Sequence, residues 1–330
     1  MLMAVMRLVS GIALMLLVII LALLYDGADR IINARMQRRL GPPLLQPFID
    51  VLKLLGKENI VPRRAVKWAF NGAPWVAAAS MIMLFLYIPI GSLPPVLGMH
   101  GDLILIIYLL GLSGVAMAVG GFASGSPIAN VGAQREMVLM MSYELPLAVV
   151  VSTMAWVALR TGMPGDPFNL ETFAGMSVWG MSGRIGFLGV FCLFLSLILV
   201  VPGETGKGPM DIPEAKTEIL DGLIIEYSGR NLALLKIVFA LRATALSALI
   251  TVLFFPWSLG GFLRLGGVLL FAFDFVCFWV KVFIVQVLVV TLMRTMFGRF
   301  KIWQASEFYL IKVAGLSIAG MILATVGLMA

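Results

Sequence analysis

Six of the chain's seventeen acids, Glu204, Asp211, Glu214, Glu218, Asp221 and Glu226, fall between Val201 and Asn231. Pro213 suits the first turn of a helix. On such a helix Asp211, Glu214, Glu218 and Asp221, offset by three, seven and ten residues, share one face. Crowded carboxylates resist joint ionisation, and beside an apolar medium they form a row able to pass protons near neutral pH. The plainer account is a solvated acidic loop. Against it stand the loop's shortness, its apolar flanks and its three bases, Lys207, Lys216 and Arg230. A second set of charges lies inside long apolar runs: Glu144, Asp274, Lys236, Arg242 and Lys281. Each is expensive in hydrocarbon and therefore a functional candidate. Asp274 and Lys281 lie two turns apart on nearly one face, roughly 10 Å along the axis, too far to pair directly but suited to a water-linked chain. Glu144, beside Pro146, is either a coupling acid or a satisfied interface residue, and Lys236 and Arg242 either act or snorkel.

Other chemistry is excluded by what is missing. One histidine and two distant cysteines cannot supply a bis-histidine haem, a zinc site or an iron–sulfur cluster. No cofactor is expected in this chain. Cys192 and Cys277 read as small core residues, and His100, close to Asp102, as a surface histidine. The run Gly203 to Gly208 superficially suggests a phosphate loop, but its spacing is wrong and no strand precedes it.

These residues must be positioned by membrane-spanning helices. Of 330 residues 61% are hydrophobic and 12% charged, with mean hydropathy +1.04, far from a soluble domain's composition. Soluble and disordered classes are excluded. A span needs roughly 20 apolar residues, and that template fits near 3–25, 70–90, 102–121, 138–159, 185–201, 231–255, 266–292 and 309–329. The expectation is a single all-α polytopic membrane domain, residues 1–330, with eight transmembrane helices. The first apolar run is too long for a cleaved signal peptide. The loops after spans 1, 3, 5 and 7 hold sixteen of the 24 basic residues and the opposite side four, so the odd-numbered loops are expected to face the cytoplasm. The net charge of +7 follows from that asymmetry, and nucleic-acid binding does not. In the first loop Phe48, Val51, Leu52 and Leu55 follow helical spacing opposite Asp50, Lys53 and Lys57, with Pro47 to start and Gly56 to end. That predicts an amphipathic helix in the membrane interface.

The stretch Glu204-Thr205-Gly206-Lys207-Gly208-Pro209-Met210-Asp211-Ile212-Pro213-Glu214-Ala215, continuing to Glu226-Tyr227-Ser228-Gly229, resembles the signature of the H subunit of respiratory complex I and of its relatives in membrane-bound [NiFe] hydrogenases of the energy-converting and formate-hydrogenlyase types. Gln37-Arg38-Arg39-Leu40-Gly41-Pro42 with Leu45-Gln46-Pro47, and Ser142-Tyr143-Glu144, are similar to two further motifs of that family. Pro43-Leu44 runs straight into Leu45, Thr205-Gly206-Lys207 replaces the Thr-Asn-Arg usual in the quinone-reducing branch, and Lys216 stands where that branch has a third acid. Gly125-Ser126-Pro127 and Gly132-Ala133-Gln134-Arg135-Glu136 look like the hydrogenase side.

The resemblance implies the membrane-anchor subunit of a ferredoxin-linked, ion-translocating hydrogenase-like or sulfur-reducing complex in the cell membrane. Docking loops are then expected at about 26–69, 122–137, 202–230 and 293–308, with Arg35, Arg38, Arg39 and Arg135 pairing with partner acids. Glu144, Glu204, Asp211, Glu214, Glu218, Asp221 and Glu226 would lie on or near the path linking redox chemistry to movement of protons or sodium ions. The [NiFe] centre and iron–sulfur clusters are expected in peripheral-arm subunits, beside other membrane-arm subunits including antiporter-like ones. Two alternatives stand: the quinone-binding H subunit of NADH:quinone oxidoreductase, and a free-standing secondary transporter, the latter opposed by the absence of a visible internal repeat.

Overall fold

The structure, a computed structural model, describes residues 2–98, 102–163, 165–174, 177–180, 183–258 and 268–329. His100 and Arg264 lie outside the described residues. The helices are α1 Leu2–Met36, α2 Gln46–Leu55, α3 Lys67–Phe85, α4 Asp102–Ala123, α5 Pro127–Arg160, α6 Leu170–Ala174 and α7 Gly183–Thr205. They continue as α8 Lys216–Ile219, α9 Gly229–Phe254, α10 Val268–Gln286, α11 Leu292–Met296, α12 Ile302–Glu307 and α13 Ala314–Met329. The described residues contain no strand. π-helical segments at Val287–Thr291 and Phe308–Val313 join α10 to α11 and α12 to α13. Eight stretches are long and apolar enough to span a bilayer. The protein is therefore an all-helical, multi-pass membrane protein.

The central helix is α9, buried without interruption from Ala240 to Phe254. Around it α1, α3, α7 and α10 pack, while α1 turns Val9, Ile12, Leu16 and Ile20 outward. Close helix approaches use glycine, because in lipid the packing of backbones replaces a hydrophobic drive between helices. At Gly189 of α7 an added Cβ would meet the Cα of Ala324 at 2.8 Å and the carbonyl of Gly320 at 2.9 Å. At Gly132 of α5 it would meet the backbone of Gly222 at 2.8 Å, so this glycine seats the 222–224 turn on the end of α5.

Several helices run further than their apolar runs. α1 continues to Met36 and α5 begins at Pro127, so much of the loops expected at 26–69 and 122–137 is helix. Pro127 opens α5 and needs no donor there. The helix of the first loop forms between Pro47 and Gly56, but with a different buried face. Pro47, Val51 and Leu54 are buried, while Leu52 and Leu55 are exposed. The reason is an anchoring pair on its polar side: Asp50 accepts from Arg30 of α1 at 3.1 Å and from Gln46 at 3.0 Å.

Gly189→Val is expected to force α7 and α13 apart and destabilise the protein by about 1–3 kcal/mol, read as a lower thermal transition in detergent. An unchanged transition would refute the close packing.

Candidate functional site

The site lies at the end of the bundle that carries the first, third, fifth and seventh loops. Its deepest part is Arg242, only 1% exposed in the middle of α9. Its Nε donates to Ser113 Oγ of α4 at 2.9 Å. Its Nη1 donates to Glu136 Oε1 of α5 at 3.2 Å and to the main-chain oxygen of Glu204 at 3.2 Å. The Glu204 carboxylate stands 4.0 Å from Nε. Glu136 and Glu204 are buried with the guanidinium, at 5% and 1% exposure. An ion removed from water must find its compensation in the fold, and here one cation bonds the carboxylate of Glu136 and lies beside the carboxyl group of Glu204. Tyr143 of α5 lies against Glu204. Its ring packs edge-on to that of Tyr309, whose hydroxyl donates to the Leu199 carbonyl at 3.1 Å. Gly203 makes room for both rings, since a Cβ there would meet Tyr309 Oη at 2.7 Å.

A cleft of about 840 Å³ lies beside this cluster. Twelve of its twenty-one lining residues are charged: five acids and seven bases. Along one wall Lys207 Nζ donates to Asp26 at 2.9 Å and to Asp29 at 3.2 Å. Asp29, 1% exposed, also accepts from Thr291 Oγ1 at 2.6 Å and Arg294 Nη1 at 3.3 Å. Burial disfavours the Lys207 ammonium, but Asp26 and Asp29 outweigh it and hold its pKa above the ordinary lysine value. Glu214 faces the cleft from the opposite wall. Burial first, then the carboxylates of Glu136, Asp221 and Asp211, push its pKa up to about 8 against the pull of Arg242. It is therefore mostly neutral at pH 7.

The expected row of four acids on one helix does not form. Residues 211–215 are turn and extended chain, α8 spans only Lys216–Ile219, and Leu220, Asp221 and Gly222 all take positive φ, at 52°, 70° and 40°. Three consecutive left-handed residues end any right-handed helix. The chain folds back instead, with the Leu223 amide donating to the Pro213 carbonyl at 3.3 Å. The acids separate accordingly. Asp211 is gripped by both arms of Arg299, Glu218 accepts from Arg135 at 2.6 Å, and Asp221 faces Lys216 at 3.6 Å. Bases from beyond the segment thus neutralise two of these acids. Only Glu214 keeps acidic company, together with Glu204 below it. Glu226 sits partly buried in the turn before α9, outside the cleft.

The remaining predicted residues divide. Glu144 is half-buried on the outer wall of the bundle, its carboxylate over Gly111 of α4, where an added Cβ would meet Oε1 at 2.6 Å. Asp274 and Lys281 line a small cavity at the opposite end of the bundle, far along α9 from Arg242. There Lys281 Nζ donates to the carbonyls of Phe255 and Trp257, closing the end of α9. Arg35, Arg38 and Arg39 are exposed, Arg38 in a left-handed turn (φ 56°) and Arg39 at the cleft mouth, donating to Gln37 at 2.9 Å. Arg135 is already committed to Glu218.

The functional residues not anticipated are Asp26, Asp29 and Glu136. All three lie on helix that extends past the apolar run and so read as loop. An acid every third or fourth residue in step with Tyr25 and Arg30 was the available signal for α1.

The sequence matches the NADH dehydrogenase family over residues 9–325. The chain belongs to this family, that of the complex I H subunit. Hydrogenase-4 component C of Escherichia coli (strain K12) is 32% identical over 245 residues, 73% of this chain and 73% of that one. The H subunit of the NADH-quinone oxidoreductase of Geobacillus kaustophilus (strain HTA426) is 30% identical over 329 residues, covering 96% and 92%. Among solved structures, a chain of the archaeal membrane-bound sulfane sulfur reductase is 26% identical and superposes with a TM-score of 0.79, covering 96% of this chain and 99% of that one. Family membership places this chain among membrane subunits of complex I-like, hydrogenase-like or sulfane sulfur reductase complexes.

Lys207→Met should remove a cation shared by two carboxylates and cost about 3–5 kcal/mol, seen as a lowered thermal transition of the purified protein. Glu218→Gln, at a half-exposed pair, should cost no more than about 1 kcal/mol. Equal losses from the two would contradict the assignment of Lys207 as the buried tie.

Proposed function

We propose that this subunit anchors a peripheral redox arm to a membrane arm and couples electron transfer in that arm to ion movement. The arrangement favours protons passed between carboxyl groups. The observation that carries the reading is the Arg242–Glu136–Glu204 cluster, buried within the spans and joined through Glu214 to a charged cleft at one end. Electron transfer in a docked neighbour changes the potential over the cleft mouth. Coupled carboxyls answer such a change by redistributing protons as a group. The exposed Arg35, Arg38 and Arg39 suit acids of the docked arm, and the loops that bear them then face the cytoplasm, as the basic-residue bias requires. The exposed Leu52 and Leu55 of α2 suit the membrane interface beside that dock.

Glu144 supplies the lateral step. It lies on a wall of exposed apolar residues, Tyr108, Leu112, Met141 and Leu145, where a carboxylate against lipid is expensive. A neighbouring membrane-arm subunit covering the α4–α5 wall removes that cost and receives the path.

The cleft also bears on the electron acceptor. Quinone pockets need apolar walls for ring and tail, whereas this one offers Ile224, Phe239 and Phe297 among twelve charges. With Thr205-Gly206-Lys207 in place and Lys207 bound into the wall, the reading is a ferredoxin-linked hydrogenase-like or sulfur-reducing complex. Partner subunits then hold the [NiFe] or other metal centres. Substantial quinone co-extracting with the purified complex, with no activity from reduced ferredoxin, would favour the quinone-reducing alternative.

Two outcomes test the coupling. In vesicles containing the whole complex, ion-coupled turnover should fall as pH rises through about 8, because Glu214 loses its transferable proton there. Glu214→Gln should lower ion transport at least about tenfold, flatten that profile and leave assembly intact. A Glu214→Gln complex that pumps normally would end the proposal. Separately, Arg38→Ala with Arg39→Ala should let the peripheral arm wash off at salt concentrations the parent withstands. Unchanged retention would leave these arginines as lipid-facing topology signals.

A further inference from the structure

Arg242 is built with more donors than its present partners use. Its Nη2 makes no hydrogen bond within the fold, and neither does Oε1 of Glu204, though both are fully buried. The main-chain oxygen of Glu204 already takes Nη1, so the two groups lie side by side without closing the ion pair. Glu204 Oε1 stands 4.0 Å from Nε, whose one hydrogen Ser113 already takes, so the pair would close through the unpartnered Nη2. Space beside the guanidinium comes from Gly114 of α4. A Cβ there would sit 3.1 Å from Nη2 and 3.0 Å from Met140 Sδ, and 3.7 Å from Glu136 Oε1. Ser113, one residue earlier, holds Nε and so acts as a pivot.

We propose that Arg242 is a two-position counter-ion that exchanges between Glu136 and Glu204, so that the two carboxyl groups change protonation only together. One guanidinium compensates one carboxylate in this dry setting, and a second uncompensated carboxylate is strongly disfavoured. With Arg242 on Glu136, as in the structure, Glu204 holds the proton. With Arg242 on Glu204, Glu136 holds it. One proton and one guanidinium per two carboxyl groups are conserved, and the proton leaving one carboxyl arrives at the other through the intervening groups. Those facing the cluster are Tyr143 on α5, Tyr309 beside α13, Glu144 further along α5 and Glu214 in the loop above. Glu214 lies within electrostatic reach of both Glu136 and Arg242, so ionisation in the cleft biases the exchange. Arg242 is then a positioning residue for the proposed proton path, and the inference rests on that reading of the site.

The test is difference infrared spectroscopy of the purified whole complex, dithionite-reduced minus air-oxidised, in the carboxylic-acid C=O region. A paired signal is expected, one band lost and another gained with equal area. Glu136→Gln and Glu204→Gln should each abolish both bands. Gly114→Ala, which keeps every charge but crowds Nη2, should diminish both together and serves where a carboxyl variant does not assemble. Absence of bands in the parent complex overturns the exchange, as does each variant removing only its own band or Gly114→Ala leaving both untouched. Ion transport in vesicles is measured alongside. Paired bands without transport would refute the coupling function while upholding the exchange.

Discussion

A guanidinium in the most enclosed helix of a membrane protein governs much of what surrounds it. Desolvating Arg242 costs several kcal/mol before any partner is counted, and α9 has no acid of its own to offset it. The compensation comes from α4, α5 and α7 at once: Ser113, Glu136 and the main-chain carbonyl of Glu204. Each contact fixes how far its helix slides along α9. Ser113 also brings Gly114 into register, and Pro202 within α7 leaves the Ile198 carbonyl without its usual helical donor. A buried ion pair of this kind is poor evidence for stability but good evidence for register. Here it sets three helices against a fourth.

The second organising feature is the ionic wall of the cleft, which ties segments that apolar packing leaves apart. Asp26 and Asp29 lie on one face of α1, Lys207 follows α7, and Arg294 belongs to α11. The π segment Val287–Thr291 adds a residue to the turn and brings the Thr291 hydroxyl onto Asp29. Such widened turns recur at functional sites because they re-aim one side chain without ending the helix. The 206–224 segment is thereby held at Lys207 by α1, at Asp211 by Arg299 and at Glu218 by Arg135. Glu214, between the last two anchors, is left facing the cleft. Its raised pKa follows first from burial and then from the neighbouring carboxylates, which no base paired to it offsets in this segment.

Eight spans were legible because each needs only one physical property, a long run that tolerates hydrocarbon. Their ends were not, since a helix does not stop where hydropathy stops. α1 carries Asp26 and Arg30 on past the apolar run, where Arg30 pairs with Asp50 of α2 and Asp26 with Lys207 of the 206–209 turn. Arg242 could be singled out by its cost in hydrocarbon. Glu136 could not, because its burial depends on the 222–224 turn closing over Gly132, a tertiary event with no local pattern. The helical reading of 211–221 failed for a related reason. Pro213 and the acid spacing are compatible with a helix, but 211–215 stay turn and extended chain and the left-handed run at Leu220, Asp221 and Gly222 ends the single turn that follows. Family resemblance located the right segment, while the roles of its acids emerged from which bases the fold brings to them.

Two of the described polar clusters, around Arg242 and around Lys281, are kept apart by α9. From Arg242 to Phe255 is thirteen residues, roughly 20 Å of helix. Along that length Thr244, Ser247 and Thr251 direct their hydroxyls to carbonyls of their own helix at 3.0, 2.8 and 2.7 Å. Thr244 also reaches Gln286 Oε1 of α10 at 3.4 Å, while Ser247 and Thr251 turn back on α9 rather than extending that contact. At the far end Lys281 is occupied with the carbonyls that terminate α9, a role that needs a fixed charge. A transporter acting alone would require polar continuity across this stretch, with a central site open to each side in turn. The path we propose runs instead from the cleft inward through Glu214, within electrostatic reach of Arg242, and then outward to the wall at Glu144. On the proposed reading the chain therefore moves charge sideways rather than through itself, and the crossing of the membrane falls to neighbours docked against α4 and α5.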